Sequence, residues 1–415
     1  MTEKKKKNPI KSLITLTIVF LITWYLINPE GFKNAFSTKS EDKKEEKIEE
    51  KTRTILIYMA PSNLESIHGL ASNDLKSIDK YHFDFEHNEL IVMAGGTNKW
   101  FNSFSKDTKI YHFNKDGEYE VIDDCIGHKN MGESSTLSYF IHYGREHYKS
   151  DEYIVFLYGH GYGIDGLLPD EVYNDNLSLK ELNAAFTNSY PIVSNNHKID
   201  LFISNSCLMG TIETLENLSY HANYAITTQE IGWINSNYPM LKMFNELKSD
   251  EDLVTFSKKY IDRYKESVSS YNDDTTMTLV DLNEVLNLYD IVHKFFGNID
   301  VNTYYYEIKS FRSKMHQIGN EEALDEVDLK GIMDQFSRLV PEVTYSEYTK
   351  QIEKTIIYHY SNKSYLSGIS IWFPYYNPNV RGDYFIGNEW LYDSGTGYRN
   401  FVSEFIKKQK KEYGI

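Results

Sequence analysis

The chain has 415 residues with a hydrophobic content of 41%, which is enough for a large α/β domain with an appended part. Its formal net charge is −16 at pH 7, and the part after residue 53 is more acidic still because the first 53 residues carry a basic excess. That balance argues against nucleic acid as a ligand and is compatible with cationic substrates or calcium. The two cysteines cannot form a disulfide framework, so their number does not fix the redox compartment.

The N-terminus predicts a membrane segment. Lysines at positions 4–7 and 11 precede an uncharged run, so we expect residues 1–11 to stay in the cytoplasm and residues 12–28 to form a single-pass anchor in the cell membrane. The run is slightly short for a span of ~20 residues, and a cleaved secretion signal is the alternative. Residues 29–53 are predicted to be a charged linker to a globular part outside the cell.

Residues 54–245 are predicted to form an α/β domain. Its first expected elements are a strand over Thr54–Ala60, a helix over Ser66–Tyr81, a strand over Glu89–Ala94, an antiparallel pair over Thr108–Phe113 and Tyr119–Ile122, and a helix over Ser134–Tyr148. Cys125 follows the antiparallel pair without a neighbouring base in the sequence, so we interpret it as a structural residue.

The next stretch contains two apolar blocks, each of which leads into a reactive side chain. Tyr153–Tyr158 precedes His160, and Ile199–Ser204 precedes Cys207. Both blocks are rich in β-branched and aromatic residues, which is typical of buried strands. A capping-box pattern begins a predicted helix over Ser178–Tyr190 between them. Strand, helix and strand predict a right-handed crossover between parallel strands, so His160 and Cys207 are expected at the same edge of one sheet.

His160 and Cys207 together suggest nucleophilic catalysis. A thiol attacks as the thiolate, and an imidazole can take or balance its proton, so we predict Cys207 as the nucleophile and His160 as its acid–base partner. Leu208–Glu216 is a plausible helix whose positive end would favour the thiolate. The N–H groups of Gly161 and Cys207 are predicted to bind an oxyanion. The alternative is a loop histidine and a small buried cysteine without a catalytic role.

Residues 246–415 are predicted to form a largely helical C-terminal part with further sheet strands. The expected helices lie near Glu251–Ser270, Leu282–Phe296, Tyr304–Gly319, Tyr345–Tyr360 and Tyr398–Lys408. Two strands, Thr276–Asp281 and Ser367–Phe373, interrupt them. We expect these strands to extend the sheet or to pack a helical subdomain on it.

Several ordered segments together resemble the clostripain family of cysteine peptidases. They are Ile57–Ala60 with Asn63–Glu65, Asn130–Gly132 with Thr136 and Leu137, His160 with Gly161, Ser206–Gly210, Gln229 and Glu230 with Gly232 and Trp233, and Ser367–Pro374. The resemblance covers roughly residues 54–406 and implies a caspase-like αβα sandwich with a mostly parallel central sheet. It also implies a cysteine endopeptidase that cleaves proteins or peptides with a Cys207–His160 dyad, without a third catalytic residue and without a cofactor for the chemistry.

The loop after His160 is rich in carboxylates. The resemblance allows calcium to bind there, through Asp165, Asp170, Glu171 or Asp175, but no EF-hand spacing is present and no metal site is predicted. In the resembled family a loop near this position can be cut by the enzyme itself during activation. Because no Lys or Arg lies between His160 and Lys180, self-cleavage here is not expected to carry over.

The predicted substrate pocket departs from the resembled family. There, an Asp two residues before the nucleophile pairs with Arg or Lys of the substrate, whereas this chain has Asn205. In the family the loop with Glu230 and Trp233 helps to form the cleft, so Trp233 is either a pocket wall or simple packing. Glu230, or an acid in the loop from Asp165 to Asp175, is a candidate to restore the charge. We therefore predict a weakened selectivity for Arg.

Two rival functions stay open at this stage. One is a catalytically silent binding module at the cell surface with the same fold. The other is a thiol hydrolase that acts on a non-peptide amide. The presence of both dyad residues speaks against the binding module, because binding alone does not require that pair.

Overall fold

A computed structural model of the protein describes Ile27 and residues 50–102, 104–124, 129–189, 198–232, 239–320, 324–388 and 397–414. The predicted membrane segment at residues 12–28, apart from Ile27, lies outside the described residues, as do Cys125, Trp233 and most of the predicted linker. Among the described helices, none is long and apolar enough to cross a lipid bilayer. Residues 50–415 form one compact unit that includes both sides of the predicted boundary at residue 245.

The described strands and helices alternate along much of the chain. The strands are β1 (Arg53–Ala60), β2 (Asn88–Ala94), β3 (Lys109–Phe113), β4 (Tyr119–Asp123), β5 (Glu152–Gly159), β6 (Leu167–Asp170), β7 (Asp175–Leu177), β8 (Ile199–Asn205), β9 (Ala222–Thr227), β10 (Thr276–Asp281), β11 (Glu326–Asp328), β12 (Ile356–Ser361) and β13 (Ser370–Trp372). The α-helices are α1 (Asn63–Ser66), α2 (Leu70–Leu75), α3 (Ser134–His147), α4 (Leu179–Asn188), α5 (Ile212–Ser219), α6 (Leu253–Val268), α7 (Val285–Gly297), α8 (Val301–Arg312), α9 (Leu329–Phe336), α10 (Glu342–Thr355), α11 (Arg381–Gly387) and α12 (Gly397–Tyr413).

A nine-stranded sheet in the order β12-β10-β9-β8-β5-β1-β2-β3-β4 runs through the protein. Its five central strands, from β9 to β2, are parallel, and the strands added at both edges are antiparallel. All eight residues of β1 are buried, as expected of a strand in the middle of a sheet covered on both faces. The predicted α/β class with a parallel central sheet is confirmed.

Helices cover both faces of this sheet. Along β5, Val155 and Leu157 belong to one hydrophobic core, whereas Ile154 and Phe156 belong to another, because successive side chains of a strand point to opposite faces. The first core is completed by residues of α3, α4, α5, α7 and α12, and the second by residues of α2 and α6. The protein is therefore a three-layered αβα sandwich.

The predicted helix between β5 and β8 and the parallel pairing of these strands are confirmed. Helix α4 begins with the predicted capping box, in which Ser178 accepts a hydrogen bond from the Glu181 amide and the Glu181 side chain bonds back to Ser178. Strands β5 and β8 are adjacent and parallel, with Tyr158 opposite Asn205. Both strands end at the same edge of the sheet, which places His160 and Cys207 there as predicted.

In the C-terminal part, one predicted helix is too long and one predicted strand does not extend the main sheet. The helix predicted over Tyr345–Tyr360 ends at Thr355, and the next six residues form strand β12, which pairs antiparallel with β10. This segment is rich in β-branched and aromatic residues, which favour a strand locally. Hydrogen bonding to β10 then determines that it forms a strand and not the end of a helix. The segment Ser367–Phe373 forms only the short strand β13, which pairs with β11 in a separate two-stranded sheet and does not extend the main one.

Two boundaries near the N-terminal side also differ from the prediction. The helix expected over Ser66–Tyr81 is split into α1 and α2 because Gly69, at the start of α2, adopts a φ of 63°, which interrupts a right-handed helix. Arg53, assigned to the linker from sequence, is the first residue of β1, and its buried guanidinium lies 2.8 Å from Glu152 Oε2. Strand β1 therefore begins at the last residue of the predicted linker.

Candidate active site

His160 directly follows β5 at the edge of the sheet where the parallel strands end. The side chain is half-buried, and this burial lowers the pKa of the imidazole from its ordinary value. The ring is therefore neutral near pH 7 and able to accept a proton. Its Nε2 lies 2.6 Å from Oδ1 of Asn63, and the ring of Tyr162 is nearly parallel to it at a centroid distance of 6.3 Å.

Asn63 is the polar partner of His160 that the sequence did not identify as a site residue. It belongs to α1, which follows the end of β1, and β1 is the neighbour of β5 in the sheet. The only sequence signal was its place in the segment Asn63–Glu65, which contributed to the family resemblance without a role. Because 97 residues separate Asn63 from His160, no local pattern links them.

Cys207 follows β8 and is partly buried in a turn. Its Sγ lies 3.5 Å from the carbonyl oxygen of Gly232, to which the thiol donates. Burial raises the pKa of the Cys207 thiol from its ordinary value, and the nearby Glu230 carboxylate adds to the rise. The thiol is therefore protonated at neutral pH. The sequence predicted a helix N-terminus that would favour the thiolate, whereas the pKa of the thiol is raised.

The turn after Cys207 explains part of this difference. Leu208 adopts a φ of 64°, which is uncommon for a residue other than glycine, and helix α5 begins only at Ile212. The N-cap of α5 is Thr211, whose side chain accepts a hydrogen bond from the Thr214 amide. The prediction of a helix that begins directly after Cys207 is wrong, and the helix N-terminus does not lie at the thiol.

The turn is fixed by backbone hydrogen bonds to two neighbouring segments. The Leu208 amide donates to the Glu230 carbonyl at 3.2 Å, and the Gly210 amide donates to the Thr228 carbonyl at 2.8 Å. On the other side, the Ser370 amide donates to the Gly210 carbonyl at 2.9 Å. Both the segment after β9 and the strand β13 therefore hold the backbone around Cys207.

Gly161 packs directly against the backbone of Cys207. A Cβ at Gly161 would lie 2.2 Å from the Cys207 carbonyl oxygen and 3.1 Å from its nitrogen, so only glycine allows this approach. Gly161 pairs with Leu167 in an isolated bridge whose hydrogen bonds are made by the flanking residues, which leaves the Gly161 N–H outside the bridge. The two amides predicted to bind an oxyanion thus lie on adjoining backbones.

Asn205, the last residue of β8, lies beside Tyr158 in the sheet. Its side chain follows the face of Leu201 and Ile203, which belong to the core with α2 and α6. The Asn205 Nδ2 is buried and has no hydrogen-bond partner among the described residues. The position that carries a pocket acid in the resembled family is therefore occupied by an uncharged amide with a free donor.

Glu230 is almost completely buried, and both of its carboxylate oxygens are engaged. Oε1 lies 3.0 Å from His316 Nε2, and Oε2 accepts a hydrogen bond from the Gly319 amide at 2.8 Å. In this arrangement the carboxylate bonds to the protein itself, so it is not a free partner for a substrate cation. The predicted substrate-binding role of Glu230 stays a prediction, as does that of Trp233, which lies outside the described residues.

The carboxylates in the loop after His160 are also engaged. Each accepts hydrogen bonds or pairs with a cation: Asp165 with Arg381 at 3.0 Å, Asp170 with the Met131 amide at 2.8 Å, Glu171 with Thr97 at 3.0 Å and Asp175 with Asn130 at 2.6 Å. These contacts tie the loop to its surroundings. They give the acids a structural role that needs no calcium, so calcium binding here stays a hypothesis.

Three potential metal ligands, one of them Glu230, lie together in the described part of the chain. Ligand atoms of Glu230, Asp274 and His316 lie within 4.8 Å of one another. A set with one imidazole suits transition metals better than calcium. Here His316 Nε2 contacts both carboxylates, at 3.0 and 3.2 Å, and Lys363 Nζ lies 3.5 Å from Asp274. The cluster is therefore already hydrogen-bonded and charge-balanced by protein groups.

A family model and a known relative match much of the sequence. The model of the clostripain family matches residues 57–406. Clostripain from Hathewaya histolytica is 24% identical over 301 residues, which cover 60% of this chain and 55% of that protein, so the chain spans about half the length of this relative.

Two solved structures share the fold. An inactive zymogen C11 protease from Parabacteroides distasonis has a TM-score of 0.63 at 18% identity and covers 81% of this chain and 96% of its own. A secreted C11 cysteine protease from Bacteroides thetaiotaomicron, solved with an irreversible peptide inhibitor, has a TM-score of 0.61 at 17% identity and covers 82% and 98%. Since the family model matches most of the residues, from the first strand of the sheet into the last helix, this protein belongs to the clostripain family.

Proposed function

We propose that this protein is a cysteine peptidase that hydrolyses peptide bonds with Cys207 as the nucleophile and His160 as the general base and acid. The observation that carries the proposal is the placement of these residues at the ends of two adjacent parallel strands, with Gly161 packed against the Cys207 backbone. A strand edge of this kind is where open α/β sheets hold their reactive groups.

The protonation states indicate how the reaction starts. The imidazole and the thiol are both neutral in the free protein, because burial lowers the pKa of His160 and raises that of Cys207. His160 therefore takes the thiol proton as the sulfur attacks the carbonyl carbon of the scissile bond. The carbonyl oxygen gains the negative charge and accepts hydrogen bonds from the N–H groups of Gly161 and Cys207.

The remaining steps return the enzyme to its starting state. When the tetrahedral intermediate collapses, the C–N bond breaks and His160 gives its proton to the leaving amine. The product is a thioester on Cys207 and a neutral imidazole. A water molecule then attacks the thioester carbonyl while His160 accepts its proton, and the proton returns to the departing sulfur. These steps need no cofactor.

The proposed substrates are proteins or peptides. Support comes from the structural relative solved with an irreversible peptide inhibitor, whose fold this chain shares. For the residue before the cut, the uncharged Asn205 and the engaged Glu230 favour a weakened selectivity for Arg and Lys. Trp233 is proposed as a wall of the same pocket.

The test uses a peptide-based, thiol-directed covalent probe together with fluorogenic peptides. We expect the full-length protein to be labelled and to cleave peptides, and Cys207→Ala and His160→Ala to lose both properties while they unfold at the same temperature as the parent. Cys125→Ala is the control and should keep most of the activity. Equal turnover by Cys207→Ala and the parent would exclude the proposed nucleophile.

The same experiment separates the rival functions. A silent binding module would bind peptides without being labelled, and a hydrolase for other amides would be labelled without cleaving any peptide in the panel. Three features favour the peptidase. The chain has both dyad residues, a glycine packed against Cys207, and an imidazole at His160 that is neutral near pH 7.

We further propose that the enzyme acts at the cell surface, held by residues 12–28 with its globular part outside. The support is the lysine-flanked apolar run and the charged linker after it. Full-length protein should sediment with membranes, and protease added to intact cells should release the globular part. Recovery of a soluble form that starts near Thr38 would instead support secretion after signal cleavage.

A further inference from the structure

The side chain of Asn63 makes a direct contact with the proposed general base. Its Oδ1 lies 2.6 Å from Nε2 of His160, in the range of a hydrogen bond. An amide oxygen only accepts hydrogen bonds, so the imidazole nitrogen that faces it must carry a proton. A neutral imidazole has one N–H, and the hydrogen bond to Asn63 therefore decides which nitrogen keeps it.

We propose that Asn63 is the positioning residue of the dyad: it accepts the Nε2–H of His160 and leaves Nδ1 as the basic nitrogen that exchanges protons with Cys207 and the substrate. This inference rests on the proposed peptidase function. It adds a third member to a site for which the sequence indicated only two, and it gives each imidazole nitrogen a distinct task.

The segment that carries Asn63 is held rigidly. Ser62, the residue before it, adopts a φ of 49° with a ψ of −129°, a strained conformation for a residue other than glycine. The Ser62 carbonyl accepts a hydrogen bond from Thr97 Oγ1 at 3.0 Å, which holds the backbone in place. Strain of this kind persists only when the surrounding contacts determine the conformation.

Glu65 fixes the same segment from the other side. It is fully buried two residues after Asn63, and its carboxylate accepts hydrogen bonds from the Ser72 amide at 2.9 Å and the Phe101 amide at 2.7 Å. A buried carboxylate with several amide donors is costly to move, because moving it would leave its oxygens buried without hydrogen-bond donors. The backbone that carries Asn63 is therefore held in place beside His160, although the Asn63 side chain is itself exposed.

An amide suits this role better than a carboxylate. When His160 takes the thiol proton, the imidazolium donates from both nitrogens, and Asn63 Oδ1 continues to accept from Nε2. Because the amide is uncharged, it orients the ring without adding the attraction that raises the pKa of a histidine beside a carboxylate. The base therefore stays neutral at the pH at which it must accept a proton.

The experiment compares full-length Asn63→Ala and Asn63→Asp with the parent. Asn283→Ala is the matched control, since Asn283 is an asparagine at the surface whose contacts are with Lys198 and Asp281. We expect Asn63→Ala to lose about tenfold to a hundredfold in kcat with little change in KM, in line with the loss of a residue that orients a catalytic group. We expect Asn63→Asp to move the acid limb of the pH–rate profile to higher pH, because a carboxylate stabilises the imidazolium. Asn283→Ala should match the parent.

A spectroscopic readout tests the bond without turnover. In protein labelled with ¹⁵N-histidine, the His160 signals, identified by their loss in His160→Gln, should show a neutral ring protonated at Nε2, and Asn63→Ala should lose this preference. Parent-like kcat in Asn63→Ala, or a His160 ring protonated at Nδ1 in the parent, would overturn the inference. If the parent neither cleaves peptides nor reacts with the thiol probe, the proposed function fails, while the ¹⁵N spectra still decide whether Asn63 holds His160. If Asn63→Ala unfolds at a lower temperature than the parent, Asn63→Ser replaces it in the same measurements.

Discussion

Oε1 of Glu230 lies 3.0 Å from Nε2 of His316, and this pair joins the segment beside the thiol to the C-terminal half of the chain. The backbone of Glu230 holds the residue after Cys207, through the hydrogen bond from the Leu208 amide. The hydrogen bond that His316 donates to the Glu230 carboxylate raises the pKa of His316 above its ordinary value, against the opposing effect of burial. The segment that supports the turn after Cys207 is therefore tied to a histidine that lies 86 residues from Glu230 in the sequence.

Replacement of His316 by Gln should destabilise the protein in a pH-dependent way. The folded pKa of His316 is raised, so the stability it contributes is fully present below the unfolded pKa of about 6.5 and is lost as the pH rises through the folded value. We expect His316→Gln to lower the free energy of unfolding by about 1–3 kcal/mol at pH 6, because the nearly buried Glu230 loses a charged partner, and by less at pH 9. Urea unfolding at the two pH values measures this.

The control for His316 is His82→Gln. His82 also contacts a carboxylate, that of Asp79 at 2.8 Å, but its side chain is 70% exposed, and surface pairs of this kind contribute little. An equal loss of stability in both variants would contradict a special role for the pair with Glu230.

The resting thiol should react slowly with alkylating agents at neutral pH. Burial raises the pKa of Cys207 from its ordinary value of 9.0, so the rate of iodoacetamide alkylation should rise with pH through an inflection above 9.0. The experiment is done in the Cys125→Ala background, so that Cys207 is the only thiol. An inflection near or below neutral pH would instead indicate a preformed thiolate–imidazolium pair.

The pH dependence of peptide cleavage should reflect the imidazole. Because burial lowers the pKa of His160 from 6.5, the acid limb of kcat/KM should lie below pH 6.5, where the ring becomes protonated and can no longer accept the thiol proton. Profiles of kcat/KM from pH 4 to 8 measure the position of the limb. A limb above pH 6.5 would show that a nearby negative charge dominates over burial.

Asn205→Asp should increase cleavage after Arg relative to uncharged residues. The variant places a carboxylate where this chain has a partly buried amide with a free donor. A close charge partner in a desolvated pocket is typically worth on the order of a hundredfold in rate. The test measures the cleavage rates of the parent and of Asn205→Asp on a peptide library with Arg, Lys, citrulline or norleucine before the cut. If the parent already cuts only after Arg or Lys, another acid supplies the charge and the interpretation of Asn205 is wrong.

Glu213→Gln should flatten the dependence of stability on pH. Glu213 is buried in α5, where burial raises the pKa of its carboxyl to about 7 while the Trp372 amide donates to Oε1 at 3.0 Å. The folded state therefore binds this proton more tightly than the unfolded state, and the parent loses up to about 3 kcal/mol of stability as the pH rises from 4.5 to 7. Gln keeps the acceptor and cannot ionise, so its unfolding free energy should fall less over that range.

Denaturant unfolding at pH 5, 6, 7 and 8 tests this difference, with Glu404→Gln as the control because Glu404 is an exposed residue of α12. Parallel curves for the parent and Glu213→Gln would mean that Glu213 ionises normally in the folded protein.

The sequence was informative where neighbouring residues determine the structure. The apolar blocks before His160 and Cys207, and the capping box at Ser178, are local signals, and together they specified a parallel pair with both reactive groups at one edge. The class of the sheet followed from the same alternation of strands and helices. The close packing of Gly161 against the Cys207 backbone was not predicted, and the oxyanion-binding role of its N–H stays a prediction.

The differences arise from contacts between distant parts of the chain. No local sequence pattern indicates the hydrogen bond between His160 and Asn63 or the one between His316 and Glu230. In both cases the partners meet only after the sheet is assembled. The strand β12 belongs to the same group, since pairing with β10 determines its conformation. The state of the Cys207 thiol depends on burial and on Glu230, which the helix expected beside it could not reveal.

The order of the sheet has a consequence for biosynthesis. Cys207 and His160 are translated before His316 and before β12, which completes one edge of the sheet. A nascent chain therefore carries both reactive residues while the contacts that support the turn after Cys207 are still missing. We expect the proposed catalytic arrangement to form only when most of the chain has left the ribosome, which would separate the proposed peptidase activity from translation in time.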